Sequence, residues 1–99
     1  MKVIAELSVI PIGVGVSLSR YIAACEKILR KSPLKVELHA NGTNLEGEWD
    51  AVMQAVKRCH ERIHQLGAPR ISTTLKLGTR TDREQTLADK IESVKEKVR

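Results

Sequence analysis

One stretch of the chain matches a metal-binding pattern. His60-Glu61-Arg62-Ile63-His64 has the H-E-x-x-H spacing, in which two histidines one helical turn apart bind zinc and the glutamate acts as a base. At about 100° per residue, however, His60 lies at the margin of an apolar stripe and Glu61 points towards solvent. That stripe consists of Val52, Val56 and Ile63. We therefore interpret the segment as an amphipathic helix and predict no metal site and no enzyme, with a metal site and a pH-sensitive contact as the alternatives.

A second stretch could bind an anion. Gly13-Val14-Gly15 lies between a predicted strand and a predicted helix, where main-chain N–H groups and a helix N-terminus can receive a phosphate. The third glycine of a G-x-G-x-x-G motif would fall at Leu18, and no Lys-Ser/Thr pair of a Walker loop follows. Two interpretations stay open. The stretch is either a plain connection or a loop whose amides, with the hydroxyls of Ser17 and Ser19, contact a ligand.

The composition argues against several classes of protein. The chain has 99 residues and a net charge of +5, but its only aromatic residues of the Phe, Tyr and Trp types are Tyr21 and Trp49. Because single-stranded nucleic acids bind on aromatic platforms, we predict no nucleic-acid partner. No apolar run reaches the roughly 20 residues that span a bilayer, and no secretory signal is recognisable, so we expect a cytoplasmic protein without a membrane partner. The two cysteines, Cys25 and Cys59, are predicted to be buried free thiols.

Hydrophobic periodicity predicts four strands and three helices. Alternation of apolar residues indicates the strands, and apolar residues three to four positions apart indicate the helices. In chain order they are strand Lys2–Ile10, helix Leu18–Leu29, strand Leu34–His39, strand Thr43–Glu48, helix Trp49–Leu66, strand Ile71–Leu77 and helix Leu87–Val98. This order predicts an α+β protein, a ferredoxin-like βαββαβ sandwich with an additional C-terminal helix, in a single domain over residues 1–99.

Turn and capping residues predict where these elements begin and end. Proline interrupts a strand, serine and threonine cap helix N-termini, and glycine adopts the positive φ of turns and helix C-termini. The predicted positions are Pro11 for the end of the first strand, Ser17 for the cap of the first helix, Asn41-Gly42 for a type I′ hairpin turn, Gly67 for the end of the second helix, and Thr81 with Glu84 for a capping box before the last helix.

Several stretches together resemble one known family. They are Ser8-Val9-Ile10-Pro11-Ile12-Gly13 with Ser17-x-Ser19-x-Tyr21, Gly42-Thr43-Asn44-Leu45-Glu46-Gly47, Trp49-Asp50-x-Val52-Met53, and Arg70-Ile71 through Lys76 with Arg80. Over essentially its whole length the sequence is similar to the thiamine-binding, YkoF-like family of small proteins. The ending Gly78-Thr79-Arg80-Thr81-Asp82 looks closest to the fungal branch of that family.

The resemblance implies a fold, a ligand and an assembly. The fold is the ferredoxin-like one, the ligand is thiamine or its pyrimidine, and the protein is non-catalytic and has no resident cofactor. The subunits form homodimers joined through their sheets, or homotetramers. The residues that match the family's loop and signature, and that we predict to bind the ligand, are Ser8, Ser17, Ser19, Thr43, Asn44 and Glu46.

The chemistry of the signature fits such a ligand. Thr43 and Asn44 can form hydrogen bonds with an aminopyrimidine, and Glu46 can oppose the positive charge of a thiazolium ring. Alternatively, Glu46 and Gly47 only shape the corner between strand and helix. The alternative function is an oligomeric structural or interaction protein that is regulated by a small anion such as sulfate or phosphate.

The last predicted helix has its own pattern. Its apolar residues form a stripe only about one residue wide, which is the geometry of a seam between helices rather than of a broad face on a core. They are Leu87, Ile91, Val94 and Val98. We therefore predict that this helix serves the assembly of a dimer or tetramer.

Overall fold

The computed structural model describes residues 1–99 and contains one antiparallel sheet with three helices. The elements are β1 (Lys2–Ile12), α1 (Ser19–Lys31), β2 (Lys35–His39), β3 (Gly42–Glu48), α2 (Trp49–Gln65), β4 (Arg70–Gly78) and α3 (Leu87–Val98). The strand order is β2-β3-β1-β4. The α+β, ferredoxin-like βαββαβ arrangement with a C-terminal helix is therefore confirmed.

The core lies between one face of the sheet and the helices α1 and α2. Alternate residues of β1 and β3 point into it, because successive side chains of a strand face opposite sides of the sheet. The largest fully buried side chains are Leu29, Leu45, Ile63, Val3, Val52 and Cys59. Neither of these helices, nor α3, is both long and apolar enough to cross a membrane.

Strand β1 is longer than predicted, and its pairing with one neighbouring strand extends further than its pairing with the other. It pairs with β3 from Lys2 to Leu7 only, but with β4 as far as Ile12. The prediction that Pro11 ends the strand is wrong, since Pro11 pairs with Ile71 of β4. Proline is tolerated where its missing N–H faces no neighbouring strand.

The direction of the peptide groups explains why a proline is tolerated at position 11 of β1. The carbonyl of Met1 accepts a hydrogen bond from the Trp49 N–H, at the continuation of β3. Because main-chain groups alternate sides along a strand, the odd-numbered residues of β1 direct their N–H and C=O towards β3, and Pro11 is one of them. At Pro11, β3 is no longer present on that side, so no ladder hydrogen bond is lost.

The hairpin between β2 and β3 is confirmed, but its turn is not type I′. The pair His39–Gly42 closes the hairpin, so Ala40 and Asn41 form the turn, and no residue there has a positive φ. Gly42 is instead the first residue of β3. A Cβ at Gly42 would lie 2.8 Å from the carbonyl oxygen of Leu7, so glycine is needed for the close approach of β3 to β1.

Two of the three predicted helix ends differ in the structure. Leu18, not Ser17, is the N-cap of α1, and no side chain caps it. For α3 the capping box consists of Thr86 and Asp89 rather than Thr81 and Glu84. Several residues near each helix start have side chains that can act as a cap, so the capping pattern alone does not show which of them caps the helix.

The end of α2 is as predicted. Gly67 has a φ of +106°, and its N–H donates to the His64 carbonyl while the Ala68 N–H donates to the Ile63 carbonyl. These two bonds form a Schellman motif, which satisfies the last carbonyls of the helix.

Candidate functional site

A cavity of about 380 Å³ lies between α1, the β2–β3 hairpin and the second half of β1. It is present because the pairing between β1 and β3 ends at Leu7 and Thr43, so the later residues of β1 have no strand beside them on the side of β3. Helix α1 covers this gap from the core side. The lining residues that matter for chemistry are Ser8, Val9, Cys25, Glu26, His39 and Thr43.

The wall of the cavity contains a buried carboxylate. Glu26 is only 7% exposed, and its Oε2 accepts a hydrogen bond of 2.9 Å from the Thr43 hydroxyl. Its other oxygen, Oε1, is buried and has no hydrogen-bond partner. A buried polar atom without a partner is costly, and native structures contain few of them. Oε1 is therefore an acceptor without a donor, on a side chain that lines the cavity.

The helical period of α1 places Glu26 at the cavity. Ile22, Cys25, Glu26 and Leu29 are spaced as i, i+3, i+4 and i+7, which is one face of a helix, and this face packs towards the sheet. Glu26 is not among the residues predicted from the sequence to bind the ligand. A charged residue in a core-facing stripe was the signal that could have revealed it, because glutamate is rarely fully buried without a function or a partner.

The main chain of Val9 adds polar groups to the same cavity. Val9 is an odd-numbered residue of β1, so its N–H and C=O point to the side of β3, and the register with β3 has already ended at Leu7. Neither group therefore has a strand partner on that side. The cavity thus combines a carboxylate oxygen, a hydroxyl and a free edge of main chain with apolar walls.

Three of the predicted ligand-binding residues lie at or beside the cavity. Thr43 and Ser8 line it, and Ser19 lies at an adjoining shallow surface that also includes Glu26. Ser17 is exposed in the loop before α1. Of these two serines, Ser19 at the start of α1 therefore lies beside the cavity, whereas Ser17 lies outside it.

The other two predicted residues, Asn44 and Glu46, lie on the opposite face of the sheet from Thr43. Strand alternation causes this separation, because Thr43 and Leu45 face the core while Asn44 and Glu46 face outwards. The Oε1 of Glu46 accepts a hydrogen bond of 2.6 Å from the Leu87 N–H in the first turn of α3. Glu46 therefore satisfies a free N–H of a helix N-terminus and attaches α3 to the sheet.

The H-E-x-x-H segment has structural contacts. The Nε2 of His60 is hydrogen-bonded to the Thr73 hydroxyl at 2.6 Å, and the Nδ1 of His64 donates to the Ala68 carbonyl at 2.8 Å. The described residues contain no group of three His, Cys, Asp or Glu side chains that could hold a metal ion. Within the fold, these two rings join α2 to β4 and to the Schellman turn.

The two cysteines are free and buried, as predicted. The Cys59 thiol donates to the Cys25 carbonyl at 3.8 Å. The neighbouring Cys59 thiol, together with burial, holds the pKa of the Cys25 thiol well above its usual range. Cys25 also lines the cavity, where the raised pKa favours its neutral thiol.

The fold and the cavity define a class of protein: a ferredoxin-like sandwich with one acid-lined cavity between a helix and a hairpin. The profile of the family described as thiamine-binding protein matches residues 5–95, and the chain belongs to this family. The family is thus described by binding rather than by catalysis.

Two relatives illustrate the breadth of the family. A UPF0045 protein of Synechocystis is 56% identical over 94 residues, which are 95% of this chain and 78% of that protein. A UPF0045 protein of Eremothecium gossypii, a fungus, is 40% identical over 99 residues, which are 99% of this chain and 94% of that protein. The family therefore includes members from organisms as different as Synechocystis and a fungus.

Solved structures share the fold. A hypothetical protein of Methanocaldococcus jannaschii has a TM-score of 0.90 at 38% identity, covering 96% of this chain and 97% of that one. A Bacillus cereus domain of unknown function has a TM-score of 0.81 at 26% identity, covering 91% of this chain and 86% of that one. A Thermotoga maritima protein, described as a candidate for thiamine biosynthesis or salvage, has a TM-score of 0.81 at 22% identity, covering 95% of this chain and 99% of that one; at this identity it shows the fold alone.

Proposed function

We propose that the protein binds thiamine or a related aminopyrimidine in the cavity beside Glu26, without transforming it. One observation carries the proposal: the Oε1 of Glu26 is buried at a cavity of about 380 Å³ and lacks a donor. This volume lies within the usual range for small-molecule sites, about 300–1,000 Å³. The family description as thiamine-binding supports the ligand class.

The hydrogen-bonding groups of the proposed ligand complement those of the cavity. An aminopyrimidine offers N–H donors for the Glu26 carboxylate and ring nitrogens for the N–H of Val9, and the thiazolium of thiamine has a permanent positive charge. Hydrogen bonds from charged or polarised donors to a buried carboxylate are among the stronger ones in proteins. Thr43 fixes the other oxygen of Glu26 and so orients the acceptor. Ser19 stays in the proposed site as a further polar contact, and Ser8 stays at its edge, because strand alternation places the Ser8 side chain on the outer face of β1.

Calorimetric titration with thiamine, its phosphates and hydroxymethylpyrimidine tests the proposal. We expect the wild-type protein to bind at least one of them, and Glu26→Gln to bind it at least about tenfold more weakly, because a hydrogen bond to a charged group is lost. Glu46→Gln is the matched control, since it makes the same change on the other face of the sheet. Failure of all these compounds to bind at millimolar concentration would contradict the ligand class, and equal binding by Glu26→Gln would contradict the site.

Assembly is a second, separate proposal: the chain forms a homodimer or homotetramer through the exposed part of α3. Leu87 is only 7% exposed and packs on its own domain, so the prediction that the whole stripe serves assembly needs refinement. Val94 and Val98, in contrast, are 61% and 80% exposed. Exposed apolar residues that repeat along one helix face are typical of an interface.

Light scattering tests this assembly. We expect Val94→Asp with Val98→Asp to lower the molar mass, and Glu92→Lys with Glu96→Lys, on the opposite face of α3, to leave it unchanged. A wild-type protein that is monomeric at micromolar concentration would overturn the proposal. The two free, buried cysteines support our further proposal of a reducing, cytoplasmic location.

A further inference from the structure

A cationic groove of about 530 Å³ lies between α1 and α2, on the side of these helices away from the sheet. Five basic side chains line it, and all five are exposed. They are Arg20, Lys27, Lys31, Arg58 and Arg62. The remaining lining residues are apolar, namely Ala23, Ala24, Ile28 and Leu66, and no carboxylate is among them. The groove thus has an apolar floor and a positively charged rim.

None of these five cations forms an ion pair. The ion pairs of the protein lie elsewhere, for example between Arg80 and Asp82 and between Arg99 and Glu92. Within the groove, Arg20 donates to the Leu66 carbonyl and lies over the ring of Tyr21, so neutral groups hold it in place. The positive charges of the rim are therefore free to pair with an external anion.

The two helices that form the groove also carry most of the net charge of the chain. Helices α1 and α2 together have seven basic and three acidic residues, so they account for four of the five net positive charges. Lys27 with Lys31, and Arg58 with Arg62, are like charges one helical turn apart, an arrangement that destabilises a helix. Such a placement is explained most simply by a partner of opposite charge.

We propose that this groove binds an acidic peptide segment of another protein, one in which carboxylates alternate with apolar side chains. The twelve residues from Arg20 to Lys31 extend over about 16 Å, which matches about five residues of extended peptide. Alternate side chains of such a peptide point in opposite directions, so apolar ones reach the floor while acidic ones meet the rim. The apolar floor favours this ligand over inorganic polyphosphate, which has no apolar groups.

The same observations disfavour nucleic acid as the occupant. Base recognition in single strands depends on aromatic platforms, and no aromatic residue lines this groove. Tyr21 lies beneath Arg20 but is buried, and Trp49 lies at the start of α2, outside the groove. The five cations could contact the phosphate groups of a nucleic acid, but no aromatic side chain of the groove could stack on its bases.

Fluorescence anisotropy with synthetic peptides tests the proposal. The probe is a labelled acetylated peptide of alternating Glu and Leu; the comparison ligands are an equally charged peptide of alternating Glu and Ser, tripolyphosphate and a short single-stranded RNA. We expect the Glu-Leu peptide to bind tightest, and its affinity to fall when NaCl is raised from about 50 to about 300 mM, because salt screens exposed charges.

Two double variants locate the binding. We expect Arg58→Glu with Arg62→Glu to weaken binding of the Glu-Leu peptide by at least about tenfold, since two of five attractive charges become repulsive. Lys57→Glu with Lys95→Glu, which reverses two exposed charges outside the groove, is expected to change the affinity less than about threefold. Circular dichroism establishes that both variants are folded.

Three results would overturn the proposal. They are no binding of the Glu-Leu peptide at low salt, equal weakening by the two double variants, and binding of RNA or tripolyphosphate as tight as that of the peptide. Because the groove does not share a lining residue with the cavity beside Glu26, these measurements are independent of thiamine binding.

Discussion

The two faces of strand β3 each have a nearby glutamate, but the two carboxylates have different partners. On the core face, Glu26 accepts from the Thr43 hydroxyl and keeps one buried oxygen without a donor. On the outer face, Glu46 accepts from the Leu87 N–H at the start of α3. The outer carboxylate attaches α3 to the sheet, whereas the inner one keeps an unsatisfied oxygen, which we propose as the acceptor for a ligand. Residue type alone therefore does not distinguish the two carboxylates, but their hydrogen-bond partners do.

The largest expected effect is a gain in stability when the inner pair is removed. Glu26→Met with Thr43→Val replaces both hydrogen-bonding groups by apolar ones of similar size, and we expect the free energy of unfolding to rise by about 1–3 kcal/mol. Ligand binding should be lost in the same variant. Urea unfolding measures the stability, and calorimetry measures the binding. A loss of stability would show that the inner carboxylate is structural, like Glu46.

A second prediction concerns the glycine that sets the edge of the cavity. Gly42→Ala puts a Cβ 2.8 Å from the Leu7 carbonyl oxygen, which is main chain and cannot rotate away. We expect the free energy of unfolding to fall by about 1–3 kcal/mol, the usual cost of overpacking. Gly78→Ala is the matched control, since nothing lies within 4 Å of its Cβ. Thermal unfolding compares the two; equal melting temperatures would refute the close approach.

The third prediction concerns the outer face. Glu46→Ala removes the acceptor of the Leu87 N–H and a negative charge at the N-terminus of α3, so we expect a loss of about 1 kcal/mol in the attachment of α3. Hydrogen exchange should accelerate in α3 but not in the central strands. Glu37→Ala, on the same face and without a hydrogen-bond partner, should leave exchange in α3 unchanged. Slow exchange in α3 of the Glu46 variant would show that packing alone holds the helix.

The smallest effect is expected at low pH, in the segment that leads to α3. The hydrogen bond from the Arg80 guanidinium lowers the pKa of Asp82 to about 2. Because the pKa of Asp82 is lower in the folded state than in the unfolded chain, the ion pair contributes to stability at pH values above the ordinary aspartate pKa. This contribution is lost as the pH falls through about 2. Carboxyl NMR shifts should report this titration. In Arg80→Gln, Asp82 should titrate near its ordinary value; an unchanged titration would exclude the pair as the cause.

Periodicity was sufficient to predict the elements and their order. The alternation in β1 and β4, and the apolar stripe of α2, depend on burial on one face, which the sequence records directly. The exact ends were harder to predict. The turn at Ala40 and Asn41 is determined by the register of β3 against β1, which an Asn-Gly pair does not encode.

The candidate site could be predicted only in part. Thr43 lies at the cavity as its place in the signature suggested, but its neighbours Asn44 and Glu46 were grouped with it although strand alternation separates them. Glu26 was missed because its importance depends on what faces it across the core. Only the packed structure shows that its Oε1 has no donor.

The unequal pairing of β1 has a consequence for how the protein avoids aggregation. Beyond Leu7, one side of β1 is an unpaired strand edge, and such edges can add strands from other molecules. On that side Val9 still offers an N–H, but Pro11 offers none, so an incoming strand could not form a continuous ladder along this edge. The proline inside the strand therefore protects this edge from pairing with another polypeptide chain.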